Sequence, residues 1–297
     1  MSYTNHDMEV RLQTYPGKKL ETMTCISNDY GFAVCSFVVL GEKEALLIDT
    51  QWTRANAYRV AAAIIDSGRE LTQIVLSHAH PDHYFGTECF LQAFPNAKVY
   101  AMPDDIPTIQ EEIGGKRDYW EFQPGMGTWN LAQHTDIPMI PLEQDSLFVE
   151  GEEVRIFQHV WGDLKYNTMA WVPSIKVLYG SDILFSNAHP FTCEVSARGR
   201  AKWKADIIHF RDDFDWDVVI PGHAKWGEPF DGRSMDFTIE YIDATEEEIA
   251  NTTTPGEFYY NMFKRFPDAV LLRSNEMNAD VFKGGKEWYF SDEEEGE

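Results

Sequence analysis

The chain has 297 residues, 43% of them hydrophobic and 14% aromatic, enough to bury a substantial core in one large domain or two modest ones. With 49 acidic against 25 basic side chains, its formal net charge of −24 repels phosphate backbones and anionic membranes, so neither nucleic acid nor a membrane is expected as a partner. The opening MSYTNHDMEV shows no signal segment and no apolar run approaches the ~20 residues of a membrane span; Cys25, Cys35, Cys89 and Cys193 are widely spaced and read as reduced core residues, so a cytoplasmic location is expected.

In chain order, Thr24–Ser27 and Phe32–Leu40 read as strands, followed by a turn at Gly41-Glu42-Lys43-Glu44 and a return strand Ala45–Asp49. Thr53 caps a helix running to about Ser67 with Gly68 as its stop, and Tyr58, Ala61, Ala62 and Ile65 form its expected buried face. Ile74–Leu76 is a short buried strand, His83–Phe94 a helix stopped by Pro95, and Lys98–Ala101 another strand. A helix is expected near Ile106–Glu121, then a Pro/Gly/Trp-rich stretch, Phe122–Trp129, of the kind that covers a site. Val154–His159, Thr168–Val172, Lys176–Tyr179 and Val218–Ile220 read as strands, and Ala197–Phe210, Met235–Ala250 and Gly256–Arg265 as helices. Residues 292–297 form an acidic tail. Two strand-rich halves, each followed by helices, amount to a layered α/β fold.

The stretch that carries chemistry is Ser77-His78-Ala79-His80-Pro81-Asp82-His83, directly after a short strand. Imidazole and carboxylate are donors for zinc and neighbouring transition metals. In an extended loop His78 and His80 project to one side, and after the turn at Pro81, Asp82 and His83 point to a second position. One zinc ion rarely takes four ligands from a single loop, so two adjacent ions are the natural geometry.

The stretch matches the HxHxDH motif, and the chain resembles the metallo-β-lactamase superfamily. The family's further motifs follow in order. Asp49 ends the strand Leu46-Leu47-Ile48-Asp49, where the family has a support for the metal loop that is not itself a ligand. Asp182, in Tyr179-Gly180-Ser181-Asp182, matches the bridging carboxylate, and His223, in Pro221-Gly222-His223, the last metal-binding histidine. One motif departs: where the family has Gly-His, this chain has Trp161-Gly162-Asp163-Leu164. Asp163 replaces the histidine as an oxygen ligand, the favoured reading, or His159 reaches in, or the site has one ligand fewer or holds a single ion. The sequence is similar to a bacterial and fungal subset that carries His-Pro-Asp-His-Tyr-Phe-Gly, here His80–Gly86, and Asp in the third motif.

The resemblance implies an αββα sandwich of two mixed sheets flanked by helices over residues 1–230, with a helical C-terminal extension at 231–297 that packs on the core or on a second subunit of a homo-oligomer. It implies two divalent ions, zinc foremost with manganese or iron as alternatives: His78, His80 and Asp163 on one, Asp82, His83 and His223 on the other, Asp182 bridging. Such ions share a water and bring its pKa toward neutrality, while Asp82 orients the nucleophile and passes a proton to the leaving group. His189 and Tyr166 are secondary catalytic candidates. Tyr84 and Phe85 read as core, Trp52, Trp129 and Trp161 as core or rim aromatics with an apolar pocket lining as the alternative, and His6, His134 and His209 as surface or structural residues. The expected reaction is hydrolysis of a small, largely neutral ester or amide, a lactone or lactam foremost. The alternatives are a thioesterase of the glyoxalase II type and a non-catalytic metal- or ligand-binding member of the fold.

Overall fold

The computed structural model describes residues 8–121, 128–286 and 292. The expected covering stretch Phe122–Trp129 lies outside them except for its last two residues, as do His6 and all of the acidic tail but Asp292.

Seven strands make the first sheet in sequential order: β1 (Glu9–Thr14), β2 (Glu21–Ile26), β3 (Cys35–Leu40), β4 (Glu44–Ile48), β5 (Glu70–Leu76), β6 (Lys98–Ala101) and β7 (Met139–Pro141). Pairing is antiparallel from β1 to β4 and parallel from β4 to β7, so the sheet is mixed. Edge strand β1 alternates half-buried and exposed residues, whereas every residue of β3 is buried, as expected for a strand covered on both faces. Ile48 pairs with Val75. That parallel register brings the residues just beyond the two strands, Asp49 and Ser77, side by side. Helices α1 (Arg54–Asp66), α2 (Pro81–Tyr84), α3 (Thr87–Ala93) and α4 (Asp105–Glu121) lie along this part of the chain.

The second sheet uses β8 (Ser146–Val149), β9 (Glu152–Val160), β10 (Asn167–Val172), β11 (Val177–Tyr179) and β13 (Val218–Ile220), in the order β13-β11-β10-β9-β8. β8 and β9 are antiparallel and β11 and β13 parallel, so this sheet is mixed too. Between them in sequence, β12 (Phe185–Ser186) pairs in parallel with β14 (His223–Ala224). Helices α5 (Ala197–Asp213), α6 (Arg233–Asn251), α7 (Pro255–Arg265) and α8 (Leu272–Lys283) complete the chain.

The chain packs as two compact units. The first comprises Met1–Phe157 and Ala170–Lys176, the second Gln158–Met169 and Val177–Glu297. Within the second, Tyr241, Phe258, Met262, Phe266 and Ala279 of the last helices bury one another, with Phe237 and Phe282 packed against them. Helix α7 starts on a capping box between Thr254 and Glu257 with Pro255 at its first position. Among the described residues no helix is long and apolar enough to cross a membrane.

Three expectations need correction. The buried face of α1 is Asn56, Ala57, Val60, Ala61 and Ile64, one position earlier than expected, and Tyr58 and Ile65 are 40% and 56% exposed. Both sets share the helical spacing, and the run of alanines does not distinguish them. The helix expected over His83–Phe94 is two helices, α2 and α3, broken at Phe85-Gly86. There the backbone of Gly86 passes so close to Thr50 that an added Cβ would lie 1.8 Å from the Thr50 carbonyl oxygen. Finally, Phe32–Val34 is not strand: Phe32 and Ala33 take positive φ after a 3-10 turn at Asp29–Gly31, and the strand begins at Cys35.

Candidate metal centre

In the first unit the loop after β5 and the start of α2 carry four donors. Asp49, fully buried and itself at φ 66, accepts from the Ser77 amide (2.9 Å) and the Ser77 hydroxyl (2.8 Å) and pairs with His83 Nδ1 (2.9 Å). The Ser77 hydroxyl, having donated to Asp49, accepts from His78 Nδ1 at 2.9 Å. Both imidazoles therefore carry their proton on Nδ1 and present Nε2 as a base, the tautomer a metal ligand needs. The rings converge, with His78 4.8 Å from His80 and 4.3 Å from His83 between centroids. His80 ends the extended loop as the cap of α2, Pro81 opens the helix, and Asp82 follows with an oxygen 3.7 Å from His83 Nε2. The loop is held from outside by Lys116, which donates to the Ala79 carbonyl at 2.9 Å. Asp105, at the start of α4, is buried, and that burial, reinforced by Asp104, raises its carboxyl well above the usual range.

The second unit carries three more. Parallel strands β11 and β13 are each followed, three residues on, by a candidate ligand, Asp182 and His223, whose Oδ2 and Nε2 lie 2.9 Å apart. The intervening turns are tight: the Gly222 amide reaches the carbonyls of Ser181 and Leu184, and the Gly180 amide that of Ile220. A Cβ on Gly222 would stand 2.3 Å from Asp182 Oδ1. Phe185, paired with His223 across β12 and β14, stacks on its ring at 5.1 Å with a 4° tilt. Asp163 is buried and its amide donates to the Asp182 carbonyl at 3.3 Å, so the departing motif delivers a buried carboxylate beside the turn that carries Asp182.

His159 is exposed at φ 60, its ring edge-on to Tyr166 at 4.7 Å. Tyr166 also meets Trp161 and has the Lys165 ammonium over its face at 4.9 Å. His189 is fully buried, and its Nδ1 lies 3.0 Å from the Tyr241 hydroxyl. Burial lowers its pKa to about 4. Tyr84 and Phe85 are core residues, and Trp52 is buried in a cluster with Phe32, Phe85 and Trp120. Trp129 is 77% exposed, and Trp161 lies under the Lys202 ammonium. His134 and His209 are exposed, the latter bonded to Asp213 at 2.7 Å. Sequence reasoning missed the orienting hydroxyl of Ser77, although its place between Asp49's strand and His78 was a usable signal. It also missed Tyr241, for which helical spacing offers only a core reading.

A sequence profile described as the metallo-beta-lactamase superfamily matches residues 29–223. The chain is 27% identical over 185 residues to a hydroxyacylglutathione hydrolase of Cereibacter sphaeroides (strain ATCC 17029 / ATH 2.4.9), covering 57% of this chain and 69% of that protein. It is 32% identical over 88 residues to the uncharacterized protein YobT of Bacillus subtilis (strain 168), spanning 29% of this chain and only 37% of YobT. Among solved structures, metallo-beta-lactamase IND-7 superposes with TM-score 0.57 at 16% identity, covering 79% of this chain and 98% of that one. The metallo-beta-lactamase from Pontibacter korlensis gives TM-score 0.55 at 16% identity, covering 80% and 99%. At such identities these likenesses speak for the fold: two mixed sheets flanked by helices, followed by several C-terminal helices. From the profile match over well over half of its length, the chain belongs to the metallo-beta-lactamase superfamily.

Proposed function

We propose that the protein is a metal-dependent hydrolase acting on small, largely neutral esters or amides, lactones and lactams foremost. In this reading His78, His80 and Asp163 hold one divalent ion and Asp82, His83 and His223 a second, with Asp182 between them. The observation that carries it is the Asp49–Ser77 arrangement, which fixes two buried imidazoles as Nε2 bases in the loop that also bears His80 and Asp82. Imidazole and carboxylate donors of this kind suit zinc, and the extra carboxylate at Asp163 widens the choice toward manganese or iron. Bound there, the ions would supply Lewis acidity and an activated water. Asp82, at the first turn of α2 beside His83, would orient the nucleophile and pass a proton to the leaving group. The net charge of −24 disfavours anionic substrates and favours neutral ones. Four buried, unbridged cysteines suit a reducing compartment, in line with action in the cytoplasm.

A second reading, a thioesterase, is favoured by the 27% identity to a hydroxyacylglutathione hydrolase. Glutathione thioesters are anionic and need basic side chains for binding, which this chain has in short supply.

The test is elemental analysis of the purified protein together with a chromogenic panel of lactone, lactam, neutral ester and glutathione thioester, each with and without chelator. Chelator-sensitive turnover of a neutral ester or amide is expected. Turnover of the glutathione thioester alone would establish the second reading, and a metal-free protein without turnover of any panel member would defeat both.

A further inference from the structure

The second unit holds a polar arrangement that the metal ligands do not use. His189 lies three residues beyond β12, the strand whose partner β14 begins with His223. Its backbone is pinned on both sides by the segment before α8: Ala188 bridges to Val270, the His189 amide donates to the Val270 carbonyl, and the Val270 amide donates to the Asn187 carbonyl, each bond 2.9 Å. The loop that follows is clamped by Asn278 of α8. Its Oδ1 accepts from the amides of Thr192 (2.9 Å) and Cys193 (3.2 Å), and its Nδ2 donates to the Pro190 carbonyl at 2.9 Å.

The same network sets the tautomer of His189. The Tyr241 hydroxyl is fully buried, and its one hydrogen-bond partner among the described residues is His189 Nδ1, 3.0 Å away. A buried hydroxyl with a single acceptor in reach gives its proton to it, so Tyr241 donates to His189 Nδ1. A neutral imidazole that accepts at Nδ1 carries its proton at Nε2. That Nε2–H is buried, in a fully buried residue, with no hydrogen-bond partner among the described residues. A buried donor without a partner is destabilising. Three separate elements (α6, α8 and the segment at Val270) nonetheless hold it in place, and a ligand oxygen would satisfy it.

We propose that His189 contacts the substrate of this hydrolase, donating its Nε2–H to an oxygen of the bound acyl group, and that Tyr241, which holds it in that tautomer, and Asn278, which holds the loop after it, are positioning residues. The proposal rests on the hydrolase reading above. It predicts that the helices after the family-matched segment contribute to substrate recognition through hydrogen bonds made within their own unit.

The experiment uses full-length protein loaded with zinc, with acetohydroxamate as a carbonyl-bearing probe. Long-range proton–nitrogen spectra of histidine-labelled protein are expected to show His189 protonated at Nε2, with that resonance moving when the probe saturates. Tyr241→Phe should mix the two tautomers. His189→Ala should weaken probe binding about tenfold and lower kcat/KM by about 10- to 100-fold on any ester the panel identifies, with zinc content unchanged. His189→Gln, which can offer an amide donor, should recover most of both. A proton on Nδ1, an unmoved resonance at saturation, or equal affinity in His189→Ala would overturn the proposal while leaving the metal centre intact. Loss of zinc in His189→Ala would overturn it in favour of a ligand role. Failure of the wild-type protein to take up metal would instead defeat the hydrolase reading, and the donor proposal with it.

Discussion

Asp49→Asn isolates what a buried carboxylate does without touching a metal. The native side chain receives three hydrogen bonds, from the Ser77 amide, the Ser77 hydroxyl and His83 Nδ1. Asparagine keeps the shape and one acceptor oxygen, so the Ser77 amide stays satisfied. Its amide nitrogen then faces two protons, on Ser77 and His83, where an oxygen had been. Hydrogen bonds to a charged group contribute about 1.5–3 kcal/mol each, so losing two costs roughly 3–6 kcal/mol. Neutralising a fully buried charge relieves part of its desolvation cost, which brings the net loss to roughly 2–4 kcal/mol. At about 2–4 °C per kcal/mol for a unit of this size, Tm should fall on the order of 10 °C. Metal affinity should fall more tellingly. His83 can relieve the clash by moving its proton to Nε2, which takes away the lone pair that would bind metal, and loss of an orienting partner of this kind typically costs about 10–100-fold. A competition titration with a chromogenic zinc chelator reads the affinity, and differential scanning fluorimetry with and without EDTA reads the stability. Affinity within twofold of wild type in Asp49→Asn would refute the tautomer argument, whatever happened to Tm.

Gly222→Ala should displace Asp182, since its Cβ would stand 2.3 Å from Asp182 Oδ1, and lower stability by about 1–3 kcal/mol in chemical denaturation. Asp163→Ala should reduce the metal-to-protein ratio measured by elemental analysis, whereas His159→Ala should leave it unchanged. The reverse pattern would transfer the ligand role to His159. The buried His189 has a folded-state pKa near 4 against an ordinary value of 6.5, so on acidification the unfolded chain takes up a proton before the folded one does. Stability should therefore rise with pH across roughly 4 to 6.5 and the slope should flatten in His189→Gln, by up to about 3 kcal/mol in total over that window. Parallel pH-dependent melts of the two proteins measure it.

The chemistry-bearing segments were legible because metal ligation forces residue types into short, ordered patterns: HxHxDH, the Asp after β4, the turn into Asp182 and Pro-Gly-His. The strands that deliver them were legible because β3, β4 and β11 are apolar runs bounded by turns. Elements decided by tertiary contact were not. The face of α1 could not be read because neighbouring positions are both apolar, and the break at Gly86 depends on a carbonyl thirty-odd residues earlier. Strand β1 alternates weakly and sits at an edge, and β12 and β14 are too short to show a period. Helix α8 begins after Leu271 in a left-handed conformation with no side-chain cap, so no start signal marks it. The Tyr241–His189 contact joins residues 52 apart through packing alone.

The pinning of Ala188 and His189 by Val270 bears on where a minimal version of this protein can be cut. A fragment trimmed to the matched segment, residues 29–223, would lose the strand-like partner of Ala188, the clamp of Asn278 and the aromatic layer of Tyr241, Phe258 and Phe266 at one stroke. The profile match ends at His223, but the contacts that hold the unit bearing His223 run on to the last helix.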